Sequence, residues 1–237
     1  MQKHDTPSTN RSGSTLNPSL IQTQLAFAES VAATPVQGSE NIKTVRMQYI
    51  AHADVVGSPA PLLNQDSALG KALKEKGLEA HIFADKLGQR LVFERSGVRL
   101  YEALMDKVLA TEFAGKPDLT ADIGHICQEE TEHFLMLKNI MEYLGVDPTA
   151  ITPAANVSGV AAQGFLQVIT DPRTTLAQCL EAMLSLELTD STCWEHLIEA
   201  AGKAGMQAVT ENFRQAAETE KEHVRIIEKW LKAVTYV

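Results

Sequence analysis

Apolar residues recur at steps of three and four positions from about residue 76 to near the end of the chain. This spacing places them on one face of an α-helix, so it predicts an all-α region. Breaks that contain glycine or proline divide the region into four long helices. The first helix is predicted at about residues 78–110, and further breaks lie at 115–117, 145–172 and 202–205.

The lengths of the connections predict how the four helices are arranged. Short turns join helices one and two, and helices three and four, which makes each pair antiparallel neighbours. Gly145 is expected to end helix two, and Asp171-Pro172 to start helix three, because proline favours the first helical position. The 26 residues from Val146 to Asp171 show no clear long period and can cross the length of a bundle. The sequence thus predicts an antiparallel four-helix bundle with a long crossover between helices two and three.

Residues 1–75 follow a different pattern. Serine, threonine, asparagine, proline and glycine dominate until about residue 40, and no helical period is sustained. Such a segment buries too little apolar surface to offset the entropy lost on ordering. We therefore expect a mostly irregular or disordered N-terminal arm at 1–75 and a bundle at 76–237. Two roles stay open for the arm. It either lies over the core or over a partner subunit, or it is a tail without function.

Two of the helices carry a glutamate and a histidine three residues apart on their apolar faces. Glu130 and His133 share the apolar face of helix two, and Glu220 and His223 repeat the pattern in helix four. Burying an unpaired carboxylate or imidazolium is costly, so this placement requires compensating partners.

A single glutamate lies in the middle of the apolar face of each remaining helix. Glu187 is 15 residues before Gly202, and Glu220 is 15 residues after Gly205, so the two glutamates lie level across their hairpin. Glu94 in helix one is also near mid-helix. We therefore expect four carboxylates and two imidazoles to converge at one height inside the bundle.

Four carboxylates cannot all stay ionised in a core of low dielectric constant unless cations balance them. Two divalent metal ions would supply that balance, and mixed carboxylate and imidazole ligands suit iron or manganese. The predicted metal ligands are Glu94, Glu130, His133, Glu187, Glu220 and His223.

Three neighbours are candidates for outer partners of these ligands. Tyr101 is either a hydrogen-bonding or radical-quenching neighbour or an ordinary core tyrosine. Glu129 is either an outer carboxylate partner or a surface charge. Asp190, one turn after Glu187, either orients a ligand imidazole or is a plain surface residue.

With one glutamate from each of two helices and Glu-x-x-His from the other two, residues 76–234 resemble the ferritin-like superfamily of di-iron carboxylate proteins. The similarity is greatest to its rubrerythrin-type members. The resemblance implies a ferritin-like four-helix bundle that binds two iron ions, with manganese as the other metal that the ligands accept. It also implies an oxidoreductase of the ferroxidase or peroxidase type that reacts with dioxygen or peroxide.

Three alternatives to that activity stay open. The first is iron binding and storage, the second is a manganese catalase, and the third is an interaction bundle without metal. A rubrerythrin also carries an iron site held by four cysteines, which the three scattered cysteines Cys127, Cys179 and Cys193 exclude here. An external electron donor is therefore expected.

Composition narrows the range of partners and compartments. The chain has 30 acidic and 21 basic residues, a formal net charge of -9, and no basic patch, which argues against nucleic acid as a partner. No apolar run approaches the ~20 residues of a membrane span, and no signal peptide is evident. Unpaired cysteines are typical of a reducing compartment. We expect a cytoplasmic protein, and a homo-oligomer is one open form of assembly.

Overall fold

The computed structural model describes residues 18–30, 39–53, 68–75, 77 and 80–235. The described residues are helical apart from short turns and contain no strand. The eight helices of this part of the chain are α1 Pro18–Ser30, α2 Ser39–His52, α3 Ala68–Glu75, α4 Ala80–Ala110, α5 Lys116–Leu144, α6 Pro153–Thr170, α7 Leu176–Lys203 and α8 Gln207–Thr235. None of these helices is long and apolar enough to cross a membrane.

The four predicted long helices are α4, α5, α7 and α8, and they form the expected bundle. Helix α4 packs along α5, and α7 packs along α8, as the short turns between them require. Contacts between α4 and α7 and between α5 and α8 join the two hairpins. Gly145 ends α5 in the left-handed region at φ 77°, a conformation that glycine adopts without steric cost. The predicted all-α bundle with a long crossover is confirmed.

The crossover itself differs from the prediction, because it contains a helix, α6. Thr152 caps this helix by accepting a hydrogen bond from the Ala155 backbone N–H. Helix α6 packs mainly on α4 and buries only small residues and Ile169, while Val157 and Val160 remain exposed. Small buried residues and exposed valines leave no apolar period, which is why the sequence pattern did not show this helix.

The start of the third bundle helix also differs from the prediction. Helix α7 begins at Leu176, and its N-cap is Thr175, which forms a capping box with Gln178. Asp171 ends α6 instead, and its carboxylate accepts hydrogen bonds from the backbone and side chain of Arg173. The expected start at Asp171-Pro172 is wrong because these residues form the turn between two helices.

Parts of the predicted N-terminal arm are helical, and the rest of the arm lies outside the described residues. Helices α1, α2 and α3 all lie within residues 1–75. The chain divides into two compact units, Met1–Asp54 and Val55–Val237. The first contains α1 and α2, whose described side chains are exposed. The second contains α3, and Leu73 of this helix is buried in the core of the bundle.

The core of the bundle consists of two apolar clusters. One is built around Trp194 and Phe213. The other is built around Tyr101, Ile126 and Trp230. In each of the four long helices, one cluster takes the residues before the mid-helix charged positions and the other takes the residues after them. The buried charged residues therefore occupy the layer between two apolar clusters.

Candidate metal centre

The structure brings the six predicted ligands together. Each of them is at most 7% exposed, although four are carboxylates. Their oxygen and nitrogen atoms form overlapping groups in which all candidate ligand atoms lie within 4.8 Å of one another. The convergence follows from the heptad-like spacing, which turns the mid-helix position of each of α4, α5, α7 and α8 toward the bundle axis.

Two half-sites share one carboxylate. In the first, His133 Nδ1 lies 2.7 Å from Glu220 Oε1 and 3.6 Å from Glu94 Oε2. In the second, His223 Nδ1 lies 3.0 Å from Glu220 Oε2, 3.4 Å from Glu130 Oε1 and 3.6 Å from Glu187 Oε2. Glu220 thus presents one oxygen to each histidine.

Gly97 permits Glu130 to reach this layer. A Cβ atom at position 97 of α4 would collide with Glu130 Oε2 of α5. With hydrogen alone at this position, the Glu130 carboxylate lies directly against the α4 backbone. The sequence pattern alone does not mark Gly97 as part of the site, because a glycine within a helix has many explanations until its neighbour is known.

The donor set fits cations better than hydrogen bonds. Within the described residues, Glu94 Oε2, both carboxylate oxygens of Glu130 and Glu187 Oε2 are buried without a hydrogen-bond partner. Buried polar atoms normally have partners, and each unsatisfied one costs roughly 1–3 kcal/mol. Metal ions would satisfy these atoms together.

The net charge of the layer also matches bound metal ions. Its buried ionisable side chains in the described structure are five carboxylates, including Asp190, one guanidinium, that of Arg90, and two histidines. With neutral histidines this leaves a formal excess of four negative charges, which two divalent cations would balance. The residues present therefore fit a di-metal centre.

The pKa values show how the layer is balanced by protons alone. Burial, and then the charges of Glu220 and Glu94, hold the pKa of Glu130 well above its usual range. Burial likewise raises the pKa of Glu187 to about 7. Burial disfavours a charged Glu220, but contacts with His133 and His223 outweigh it and lower the pKa of this carboxyl group. The cluster thus binds protons where it lacks metal, and metal and protons compete for the same atoms.

All three expected outer partners lie beside predicted ligands, and an oxygen of Asp190 lies within 4.8 Å of oxygens of Glu94, Glu130 and Glu220. The Tyr101 hydroxyl donates a hydrogen bond of 2.5 Å to Glu187 Oε1. Glu129 Oε2 lies 3.0 Å from His223 Nε2, on the opposite side of the imidazole from the cluster. A carboxylate that accepts the Nε2–H of a histidine leaves Nδ1 free to bind a metal and fixes the ring orientation.

Comparisons with known proteins address the fold. No protein-family model matches the chain, and no curated protein matches it in sequence. A solved structure described as a ferritin-like, diiron-carboxylate protein from Bacillus anthracis str. Ames matches with a TM-score of 0.50 and 18% identity. The match covers 68% of this chain and 97% of that one. The fold is a ferritin-like four-helix bundle.

Arg90 is the functional candidate that the sequence analysis missed. It is buried in α4, where its Nε lies 2.7 Å from Glu94 Oε1 and its Nη1 lies 2.9 Å from Asp190 Oδ1. Its guanidinium carbon lies over the rings of Phe93 and Trp194, at 4.1 and 5.4 Å from the ring centres. The available signal was the four-residue step from Arg90 to Glu94, which places both on the same helix face.

Asp190 therefore has a different partner from the one expected. Its carboxylate pairs with the Arg90 guanidinium and not with an imidazole. The residue is also 1% exposed, so the alternative of a plain surface aspartate is wrong. Helix α7 turns this position inward because it lies three residues after Glu187.

Proposed function

We propose that this ferritin-like chain is a di-metal carboxylate oxidoreductase that reacts with dioxygen or peroxide, of the ferroxidase or peroxidase type. The observation that carries the proposal is the pair of half-sites joined by Glu220, with buried carboxylate oxygens that lack hydrogen-bond partners. A structural ion-pair network would instead align its atoms into satisfied hydrogen bonds.

The residues divide naturally between two metal positions. Glu94 and His133 would hold one ion, while Glu130, Glu187 and His223 would hold the other. Glu220 would contribute to both, since its two oxygens face different histidines. Two bound iron or manganese ions supply reversible electron transfer and open coordination positions for an oxidant.

The remaining residues position the ligands. The Tyr101 hydroxyl holds one oxygen of Glu187 and leaves the other directed at His223. Glu129 fixes His223 from its far side. Arg90 holds Glu94 and Asp190 through two nitrogens of one planar group. The apolar clusters on both sides keep the layer largely free of water, which strengthens its electrostatic interactions.

We propose that the reducing equivalents come from an external donor, because the three cysteines of this chain cannot form a four-cysteine iron site. The cysteines Cys127, Cys179 and Cys193 are all free and lie apart on α5 and α7. Measuring turnover of the reconstituted protein with a reducing protein and with a small-molecule reductant distinguishes the two kinds of donor.

The experiment that tests the proposal is reconstitution of the metal-free protein with Fe(II) or Mn(II) under anaerobic conditions. Metals per chain are counted by elemental analysis, and optical spectra are then followed after addition of dioxygen or peroxide. Two irons per chain that are oxidised with turnover of an added reductant support the proposal. Hundreds of irons per particle would indicate storage, and rapid disproportionation of peroxide by the manganese form would indicate a catalase. Either of those outcomes would contradict the proposed turnover with an external electron donor.

A further inference from the structure

A cavity of about 260 Å³ lies between α4, α6 and α7, on the outer side of Arg90. Its mouth carries the exposed side chains of Lys86 and His196. Its deeper wall includes the buried residues Arg90 and Leu186. Helix α6 contributes the small residues Ser158, Ala161 and Ala162 to its wall.

The lining of the cavity is mostly apolar, and its charged groups have one sign. Phe93, Phe165 and Leu186 provide aromatic and aliphatic surface from three helices. Lys86 and Arg90 are the charged side chains, and no aspartate or glutamate lines the cavity. This is unusual for a chain with a net charge of -9. An apolar pocket with a few converging polar groups is the common form of a small-molecule site.

Arg90 has donor capacity to spare. A guanidinium group carries five N–H donors. Nε and Nη1 of Arg90 lie 2.7 and 2.9 Å from oxygens of Glu94 and Asp190, but Nε and Nη2 are both buried without a hydrogen-bond partner among the described residues. Unsatisfied donors are unfavourable, so a ligand acceptor in the cavity toward which the guanidinium could turn would gain affinity.

We propose that this cavity binds a small organic carboxylate with an aromatic or short aliphatic body. The apolar body would lie against Phe93, Phe165 and Leu186, and the carboxylate would interact with Arg90 and Lys86. An engineered cavity of roughly 150 Å³ accommodates benzene, so 260 Å³ is sufficient for a ring with one small substituent. Arginine recognises carboxylates well, because its planar donors match the two oxygens.

The proposed site is separate from the metal centre but touches it through Arg90. Arg90 lines the cavity and also contacts Glu94, one of the predicted metal ligands. A carboxylate bound here would thus lie one residue away from the half-site formed by Glu94 and His133. The binding proposal itself does not rest on the proposed metal chemistry, because the cavity and its charges are features of the chain alone.

The test uses three probes of nearly equal size and shape that differ in charge, namely benzoate, benzamide and benzamidine. Isothermal titration calorimetry is carried out on the protein as purified, with its metal content measured. We expect benzoate to bind with a Kd below about 1 mM and at least about tenfold more tightly than benzamidine. Benzoate binding weaker than this, or a smaller difference between benzoate and benzamidine, would overturn the proposal. If the purified protein lacks metal, that result counts against the proposed function only. The comparison of benzoate with benzamidine still tests the cavity.

Two matched variants on α6 locate the site. Ala161 lines the cavity and is exposed, so Ala161→Trp fills the cavity without disturbing the core. Gln163 is exposed on the same helix but does not line the cavity, which makes Gln163→Trp the control. We expect the first variant to weaken benzoate binding at least about tenfold and the second to leave it within about twofold. Equal affinities of the two variants would place the benzoate elsewhere and refute the assignment.

The role of the cationic side chains is tested separately. Arg90→Gln should reduce the affinity for benzoate and leave that for benzamide largely unchanged, because only benzoate carries a charge. Since removal of Arg90 also leaves Glu94 and Asp190 without their cation, Lys86→Gln at the exposed mouth provides a second variant that retains the fold. If both folded variants bind benzoate as the wild type does, the proposed recognition of the carboxylate is wrong.

Discussion

The carboxylate of Glu220 in α8 lies 2.7 Å from Nδ1 of His133 in α5. The other oxygen of the same carboxylate lies 3.0 Å from Nδ1 of His223. One side chain therefore joins two Glu-x-x-His motifs that are separated by about ninety positions in the sequence. This relationship makes the buried layer one site with two halves.

Replacement of a predicted ligand should be distinguishable from replacement of its neighbour. Glu130 is buried in the layer, whereas Glu132 is exposed. Positions 130 and 132 are two residues apart on one helix, so their side chains point ~200° apart at 100° per residue. Glu130→Ala should abolish binding of two metal ions per chain, because the second half-site loses a carboxylate. Glu132→Ala should keep both ions and change stability by less than roughly 0.5 kcal/mol. Elemental analysis of both reconstituted variants measures the difference, and loss of metal from Glu132→Ala alone would refute the assigned helix face.

The contact between Gly97 and Glu130 provides a second test. Gly97→Ala should displace the Glu130 carboxylate and lower metal occupancy, because the added methyl group would collide with Glu130 Oε2. Gly124→Ala is the matched control, since its nearest neighbour would be Met105 Cε at 3.8 Å, an ordinary contact. Metal titrations of the two folded variants are compared. Wild-type metal affinity in Gly97→Ala would show that Glu130 does not need this close approach.

Without metal, the stability of the bundle should fall as the pH rises from about 5.5 to about 8. Burial raises the pKa of Glu187 from 4.5 to about 7. Burial opposes protonation of His133, but contacts with Glu220 and Glu94 raise its pKa from 6.5 to about 10. A group whose pKa is higher in the folded state loses its stabilising contribution as the pH rises toward that value. Both groups therefore act in the same direction over this range.

Urea unfolding of the chelated protein at the two pH values measures this dependence. Glu187→Gln serves as the control and should show a weaker dependence, since one titrating group is removed. The lowered pKa of Glu220 acts only below its unfolded value of 4.5, outside this range. A metal-free protein that became more stable between these pH values would contradict the proposed protonation of the layer.

Arg90 should contribute strongly to stability as well as to the site. Arg90→Met removes the buried cation that pairs with Glu94 and Asp190, and breaking such a pair costs roughly 3–5 kcal/mol. Adding Asp190→Asn should recover part of this loss, because one unbalanced carboxylate is removed. Arg95→Met, at an exposed position of the same helix, is the control and should change stability by less than roughly 0.5 kcal/mol. Chemical denaturation of the metal-free variants provides the free energies, and additive effects of Arg90→Met and Asp190→Asn would argue against a coupled pair.

The site was largely predictable from the sequence because its charged residues interrupt apolar helix faces. Glu130 and His133 stand where the period of three and four requires a core residue, and Glu220 and His223 repeat that exception. Arg90 was overlooked, although it lies on the same face as Glu94, because the ion pair that explains it involves Asp190 of another helix. An ion pair between two different helices produces no periodic signal in the sequence of either helix.

The same distinction explains which parts of the fold were predictable. Helices α4, α5, α7 and α8 bury large apolar residues at regular steps, and their period is visible in the sequence. Helix α6 buries alanine and serine against α4, so its packing depends on small size and not on an apolar stripe. The N-cap at Thr175 was hidden by the stronger-looking signal of Asp171-Pro172, which forms a turn.

The number of metal ions that the folded chain binds, with and without the Glu220 carboxylate, tests most directly whether Glu220 joins two metal positions. Wild type, Glu220→Ala and the control Glu222→Ala are stripped of metal, titrated anaerobically with Fe(II) and analysed for iron per chain and thermal unfolding. Glu222 is exposed two residues after Glu220, so the two variants remove the same group from opposite faces. We expect two irons per chain and a raised Tm for wild type and Glu222→Ala, because only the folded state offers the complete site. Glu220→Ala should lose two-iron binding and the Tm increase. Wild-type protein that binds no iron, or Glu220→Ala protein that still binds two, would contradict a di-metal site joined by Glu220.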